Sequence, residues 1–214
     1  MNPHFCFFTF RIAITLLCAF LPLQAKAASV NPHLFGYSEQ INTGYELFPL
    51  WTGMLKRHGH ETPQEKKCPD AYCPSIDDWL KFLQTLNNKS FQAKISAVNA
   101  YANRHRYVLD MDNYGMLDYW ATARQFMERD GDCEDYAISK YTSLRQLGID
   151  PDSMRIVVVQ DTNLRIPHAV LAVYNGNDIL ILDNQIAAVT SHHSIAHYVP
   201  VYSINERNWW MHLP

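Results

Sequence analysis

The stretch that most restricts the fold lies late in the chain. PHAVLAVY (167–174) and DILILD (178–183) are β-rich apolar runs with Asn175-Gly176 between them. An Asn-Gly pair between two such runs signals a two-residue hairpin. With Asn175 and Gly176 as the central turn residues, Tyr174 pairs with Asn177 and His168 stands directly opposite Asp183. Opposed side chains have Cβ atoms about 4.5–5.5 Å apart, so the carboxylate would fix the imidazole tautomer. With Gly176 and Asn177 as the turn, the two become diagonal neighbours on one face. A single-residue bulge would separate them.

RIVVVQ (155–160) and YVPVYSI (198–204) extend the strand pattern. Upstream the pattern is helical. Ser75, followed by Ile76, Asp77 and Asp78, starts a helix whose stripe is Trp79, Leu80, Phe82, Leu83 and Leu86, and Asn87-Asn88 ends it. A second helix follows Ser90, with Ile95, Val98 and Ala102 at helical spacing. Residues 107–118 read as an acidic, glycine-containing loop, and Ala121–Arg129 as a short helix. A further helix runs from Cys133 to Leu147, with Ala137, Tyr141 and Leu144 inward and Gly148 as its stop. Helices first and an antiparallel sheet last indicate an α+β domain.

GDCEDYA (131–137) places Cys133 at the start of that helix among acids. The helix N-terminus lowers a thiol pKa and offers free N–H groups. Carboxylates act against it: one about 6 Å away at an effective dielectric of about 20 costs roughly 2.8 kcal/mol, about two pKa units. A bound hard cation reverses that sign by taking up carboxylate oxygens. Asp132 and Glu134 flank the thiol, and DMDNYG (110–115) offers Asp112 or Asn113 as further ligands. That stretch begins like an EF-hand loop, but Tyr114 fills one ligand position and Ala121 stands where the bidentate Glu belongs. The alternative is that Asp132 and Glu134 only complement the helix dipole, at about 0.3–1 kcal/mol each. Cys133, His168 and Asp183 are the parts of a nucleophile, its base and the base's orienter. His58, His60, His105, His192, His193 and His197 show no comparable acid partner and read as surface or loop residues.

The 214-residue chain carries a net charge of −3, which gives no nucleic-acid surface. Its first 27 residues differ from the rest: Arg11, an apolar run from Ile12 to Leu23 too short to span a bilayer, then Ala25-Lys26-Ala27. This is the pattern of a secretory signal peptide cleaved after Ala27, with an uncleaved anchor as the alternative. Cleavage leaves one domain, residues 28–214, with no stable membrane insertion. In an oxidising compartment Cys68 and Cys73, in KCPDAYCP, favour a disulfide over zinc and leave Cys133 unpaired.

DYWAT (118–122), GDCEDYAISKY (131–141), SLRQLG (143–148), MRIVVVQDTN (154–163), HAVLAVY (168–174), LDNQ (182–185) and PVYSINE (200–206) together resemble the bacterial transglutaminase-like cysteine proteinases of the LapG type. The resemblance runs from about residue 45 onward. It implies a papain-like α+β core with the nucleophile helix packed on the sheet. It also implies Cys133 as nucleophile, His168 as base and Asp183 as orienter, and calcium dependence with Asp132 and Glu134 near the ion. The implied location is the periplasm, and the implied substrate is a large repeat adhesin, cut in its N-terminal segment at a pair of alanines. The implied regulator is an inner-membrane cyclic di-GMP receptor that sequesters the enzyme. Two rivals remain at this point: an acyl transferase using the same three residues, and a non-enzymatic secreted binding module with a structural cysteine.

Overall fold

The computed structural model describes residues 33–61 and 74–214. The signal-peptide segment and the Cys68/Cys73 pair lie outside the described residues. The described elements are β1 (Ser38–Asn42), α1 (Pro49–His60), α2 (Pro74–Leu86), α3 (Phe91–Ala102), α4 (Asp110–Tyr114), α5 (Ala123–Arg129), α6 (Cys133–Gln146), β2 (Met154–Asp161), β3 (Ile166–Asn175), β4 (Asp178–Leu182), β5 (Thr190–Ser191), β6 (Tyr198–Ile204) and β7 (Trp209–Leu213). The strands form one sheet in the order β1-β7-β6-β2-β3-β4-β5.

Ser90 caps α3 by accepting from the Ala93 N–H, and Thr122 with Gln125 forms a capping box at α5. Two expectations change. A strand, β1, precedes the helices and pairs with β7 at the sheet edge. The acidic stretch read as loop contains one helical turn, α4, closed by Gly115 at φ 66°. That conformation costs glycine nothing and strains other residues.

The hairpin takes the second of the two registers. Asn175 pairs with Asp178, so Gly176 and Asn177 make the turn. Gly176 has φ 63° while Asn177 is not among the positive-φ residues, so only the first central residue needs the left-handed region. That is the type II′ requirement, met by glycine at that position. Leu171 pairs with Leu182, which puts Asp183 just past β4 and diagonal to His168 on the same face.

α6 is the centre of the molecule. Residues 134–144 are all buried, polar ones included. One side of the helix lies on β3 and β2 and the other meets α3 and α5. Its buried hydroxyls are satisfied locally: Ser139 and Ser143 donate to the Tyr136 and Ser139 carbonyls, and Ser143 accepts from Trp79 Nε1 at 2.9 Å. The main core between helices and sheet includes Trp51, Trp79, Phe126, Leu144, Ile156 and Leu171. A second core of Leu34, Val157, Val159, Val170, Ile179 and Ile181 covers the other face of the sheet. Burial on both faces explains why β2 and β3 read as continuous apolar runs rather than alternating ones.

Candidate active site

The chain turns sharply into α6. Asp130 has φ 63°, and its carboxylate is held by Arg106 Nε and by His105 Nδ1, each at 2.9 Å. Asp132 is the N-cap of α6 and forms a capping box with Asp135. Asp135 accepts from the Asp132 N–H at 3.3 Å and from the Ala121 N–H at 2.7 Å. Cys133 is thereby fixed as the first residue of the helix. Its thiol donates to Glu134 Oε2 at 3.3 Å. Gly131 packs directly on the Asp135 side chain, and a Cβ there would lie 2.7 Å from Asp135 Cβ. Gly131→Ala is therefore expected to cost about 1–3 kcal/mol in urea unfolding, from overpacking. An unchanged midpoint would show that this corner is not the tight fit described.

On the sheet side, His168 Nε2 donates to Asp183 Oδ1 at 2.9 Å. The same oxygen accepts from the Gln185 N–H at 2.9 Å, and Asp183 Oδ2 accepts from the Tyr198 hydroxyl at 2.6 Å. Asn103, the C-cap of α3, holds the Asp183 carbonyl at 2.7 Å. His168 and Asp183 are both buried. The imidazole's other nitrogen, Nδ1, lies 3.4 Å from the Gln185 amide. Cys133, His168 and Ala169 line one cleft of about 290 Å³ with Asp110, Asp118, Trp120, Asp132 and Glu134. The structure thus brings Cys133, His168 and Asp183 to one place.

Burial pushes the Cys133 thiol far above its ordinary range, and Glu134 and Asp132 push it further. The Ala169 N–H pulls the other way. Burial would also raise Asp183, but the hydrogen bonds from His168, Tyr198 and the Gln185 N–H outweigh it and hold the carboxyl below its usual value. The acids beside the thiol are strained in the opposite sense. Burial and the neighbouring carboxylates push Glu134 up. Burial also raises Asp135, against the pull of the Ala121 N–H. Asp110 is pushed up to about 6, by burial first and then by Asp132 and Asp118.

These acids form a group. Asp110, Asp132, Glu134 and Asp135 each bring an oxygen within 4.8 Å of the others. Asp110 Oδ1 and Asp132 Oδ1 are buried without a hydrogen-bond partner among the described residues. An all-carboxylate set with two free buried oxygens fits a hard divalent cation of the calcium type. Asp112 and Asn113 do not join it. Asp112 is exposed, and the Asn113 amide donates to the Arg129 and Asp130 carbonyls. The one-turn helix α4 is the reason: successive residues turn about 100°, so Asp110 faces the cluster and Asp112 faces away. Asp110 takes the place expected of Asp112.

Sequence reasoning also missed Tyr198, Gln185 and Asp135, although Asp135 stood in plain view as the N3 residue of a D-x-x-D capping pattern. Two histidines read as unpartnered have acids after all: His58 lies 3.1 Å from Glu61, and His105 binds Asp130.

The family profile of bacterial transglutaminase-like cysteine proteinases matches residues 73–214. The chain belongs to this family. Among solved structures, LapG of Legionella pneumophila is 25% identical to the proteinase over 76% of this chain and 87% of that one, with a TM-score of 0.59. Its calcium-bound form gives 26% identity, 75% and 86% coverage and a TM-score of 0.60. The EGTA-treated form gives 25%, 76% and 84%, and 0.59. No curated protein sequence matches the chain. The proteinase is a cysteine protease with the LapG-like arrangement of helices on an antiparallel sheet. Among the described residues no helix is long and apolar enough to cross a membrane.

Proposed function

We propose that the proteinase is a calcium-dependent periplasmic endopeptidase that cuts a large repeat adhesin near its N-terminus, at a pair of alanines, and so promotes biofilm dispersal. In this proposal an inner-membrane cyclic di-GMP receptor sequesters it. The observation that carries the chemistry is the His168–Asp183 pair on the wall of the cleft that holds Cys133 at the tip of α6. The substrate, regulator and compartment rest on the likeness to LapG and on the N-terminal segment. Membership of a proteinase family sets aside the binding-module reading.

In the proposed reaction, Asp183 holds His168 with Nε2–H toward itself, which leaves Nδ1 to take the thiol proton. The thiolate attacks the scissile carbonyl, and the free N–H groups at the start of α6 receive the oxyanion. The imidazolium then protonates the leaving amine. Water, deprotonated by His168, releases the acyl group. Asp110, Asp132 and Glu134 would hold calcium, with Asp135 behind them fixing Asp132. The ion would supply positive charge against the carboxylates that oppose thiolate formation.

The test is cleavage of an Ala-Ala-containing adhesin segment by the purified protein with calcium and with EGTA. Cleavage is expected with calcium, lost with EGTA, restored by added calcium and absent in Cys133→Ala. Cleavage that survives Cys133→Ala overturns the assignment. Calcium at about a hundred times its Kd adds about 2.7 kcal/mol, so Tm should rise by roughly 5–10 °C. Asp110→Asn should shrink that rise and Asp112→Asn should not. The reverse result would return Asp112 to the ligand set.

A further inference from the structure

The catalytic cleft does not end at Cys133. A recess of about 260 Å³ lies beside it, lined by Leu47, Phe48, Leu50, Trp51 and other residues at the start of α1. Asp118, Trp120 and Tyr202 line both the recess and the cleft, so the two adjoin. The floor of the recess is built in advance. Phe48 packs on Tyr202 and Trp209 with ring centres 4.9 and 5.1 Å apart, and Trp51 meets Trp120 edge-on at 6.2 Å. Pro49 stands in the first turn of α1 and fixes where that helix begins. At the mouth Leu47 is 74% exposed, an apolar side chain with little covering it.

The character of the lining changes from one to the other. Around the thiol it is acidic, through Asp110, Asp132 and Glu134, and past Trp120 it is aliphatic and aromatic. A peptide bound in extended form points alternate side chains to the same side. One that presents its scissile carbonyl to Cys133 therefore lays a neighbouring side chain toward the recess. We propose that this recess is a specificity subsite that takes an aliphatic or aromatic side chain of the substrate polypeptide, a few residues from the scissile bond. The inference rests on the protease reading above and adds to it a chemical class of substrate residue. Asp118, at the junction, offers a carboxylate to a backbone N–H of the same segment and disfavours an acidic side chain there.

The experiment is a scan of peptides on one Ala-Ala-containing scaffold. Leu, Phe, Ala, Asp or Lys is placed in turn at each position flanking the cleavage point, and kcat and KM are measured with calcium present. One position is expected to prefer Leu or Phe over Ala by about tenfold in kcat/KM, the usual size for filling an apolar pocket, mainly through KM. Asp at that position should be the poorest. Leu47→Glu, at an exposed site where folding is not at stake, should erase the apolar preference and move it toward Lys, while Leu47→Met should keep it. The proposal is overturned if cleavage remains Cys133-dependent but no position shows an apolar preference. It is also overturned if Leu47→Glu lowers kcat/KM by one factor for every peptide. If neither the peptides nor an intact adhesin segment is cut by the wild-type protein, the protease substrate reading itself fails and the subsite falls with it.

Discussion

Asp183→Asn is expected to lower kcat by about 10²–10⁴-fold, with KM and the fold largely kept. Asp183 Oδ1 receives two N–H groups, from His168 and Gln185, and Oδ2 receives the Tyr198 hydroxyl. An asparagine can keep its oxygen toward the two N–H donors and turn its NH₂ toward Tyr198, whose hydroxyl oxygen then accepts. Only the Tyr198 O–H proton then lacks its acceptor, so the loss of stability is expected to stay at about 1–3 kcal/mol. What disappears is the negative charge beside an imidazole that must become positive when it takes the thiol proton. Steady-state kinetics alongside a thermal melt separate these effects. Activity within tenfold of wild type would remove Asp183 from the catalytic machinery and leave it as a loop anchor.

Lys140→Met is expected to change how stability depends on pH. Lys140 is 1% exposed on α6, and its ammonium has no hydrogen-bond partner among the described residues. The nearest aromatic contact is the Tyr136 ring at 5.7 Å. Burial lowers its pKa to about 7, against the opposing pull of Asp183. In the unfolded chain the group titrates near 10.4. Between those values the unfolded state binds a proton that the folded state lacks, so stability rises with pH through this window. The full span is worth roughly 5 kcal/mol. Cys133 acts in the other direction, because burial raises its folded pKa and stabilisation from that source is lost as pH climbs above about 8.5. The measurement is therefore the difference between wild type and Lys140→Met in chemical unfolding from pH 7 to 9. The variant is expected to be the more stable at pH 7, with the gap closing as pH rises. Parallel curves would mean that Lys140 finds a partner in solution and titrates normally.

Much of this was legible because local chemistry and tertiary structure agree. The start of α6 shows in GDCEDYA through its capping acids, and the hairpin shows in its Asn-Gly turn. The register did not follow from the turn pair alone, since glycine serves as second central residue in one turn type and first in another. His168 and Asp183 survived that ambiguity because both registers keep them on one face. The exposure of Asp112 is not legible in sequence because a five-residue helix is too short to leave a periodic signal, yet long enough to reverse which acid faces inward. Tyr198 was invisible for a different reason. It belongs to β6, whose other neighbour besides β7 is the sequence-distant β2, and the pairing of Asp161 with both Tyr198 and Ile166 brings it near His168. Lys140 lay between inward positions of α6, but only a helix enclosed by β3, β2, α3 and α5 buries it as well.

Asp132 belongs to two structures at once, the cap that opens α6 and the wall of the carboxylate group. The sulfur is one residue further on and has Glu134, another member of that group, on its other side. It donates to Glu134 and lies within 4.8 Å of an Asp132 oxygen. A cation drawn in there would act as a splint, pulling both neighbours toward one point and setting the pose of the thiol between them. Its departure would leave two crowded carboxyl groups with the reactive group between them. On that arrangement, holding a cation and posing the thiol would be one task for the same turn of helix.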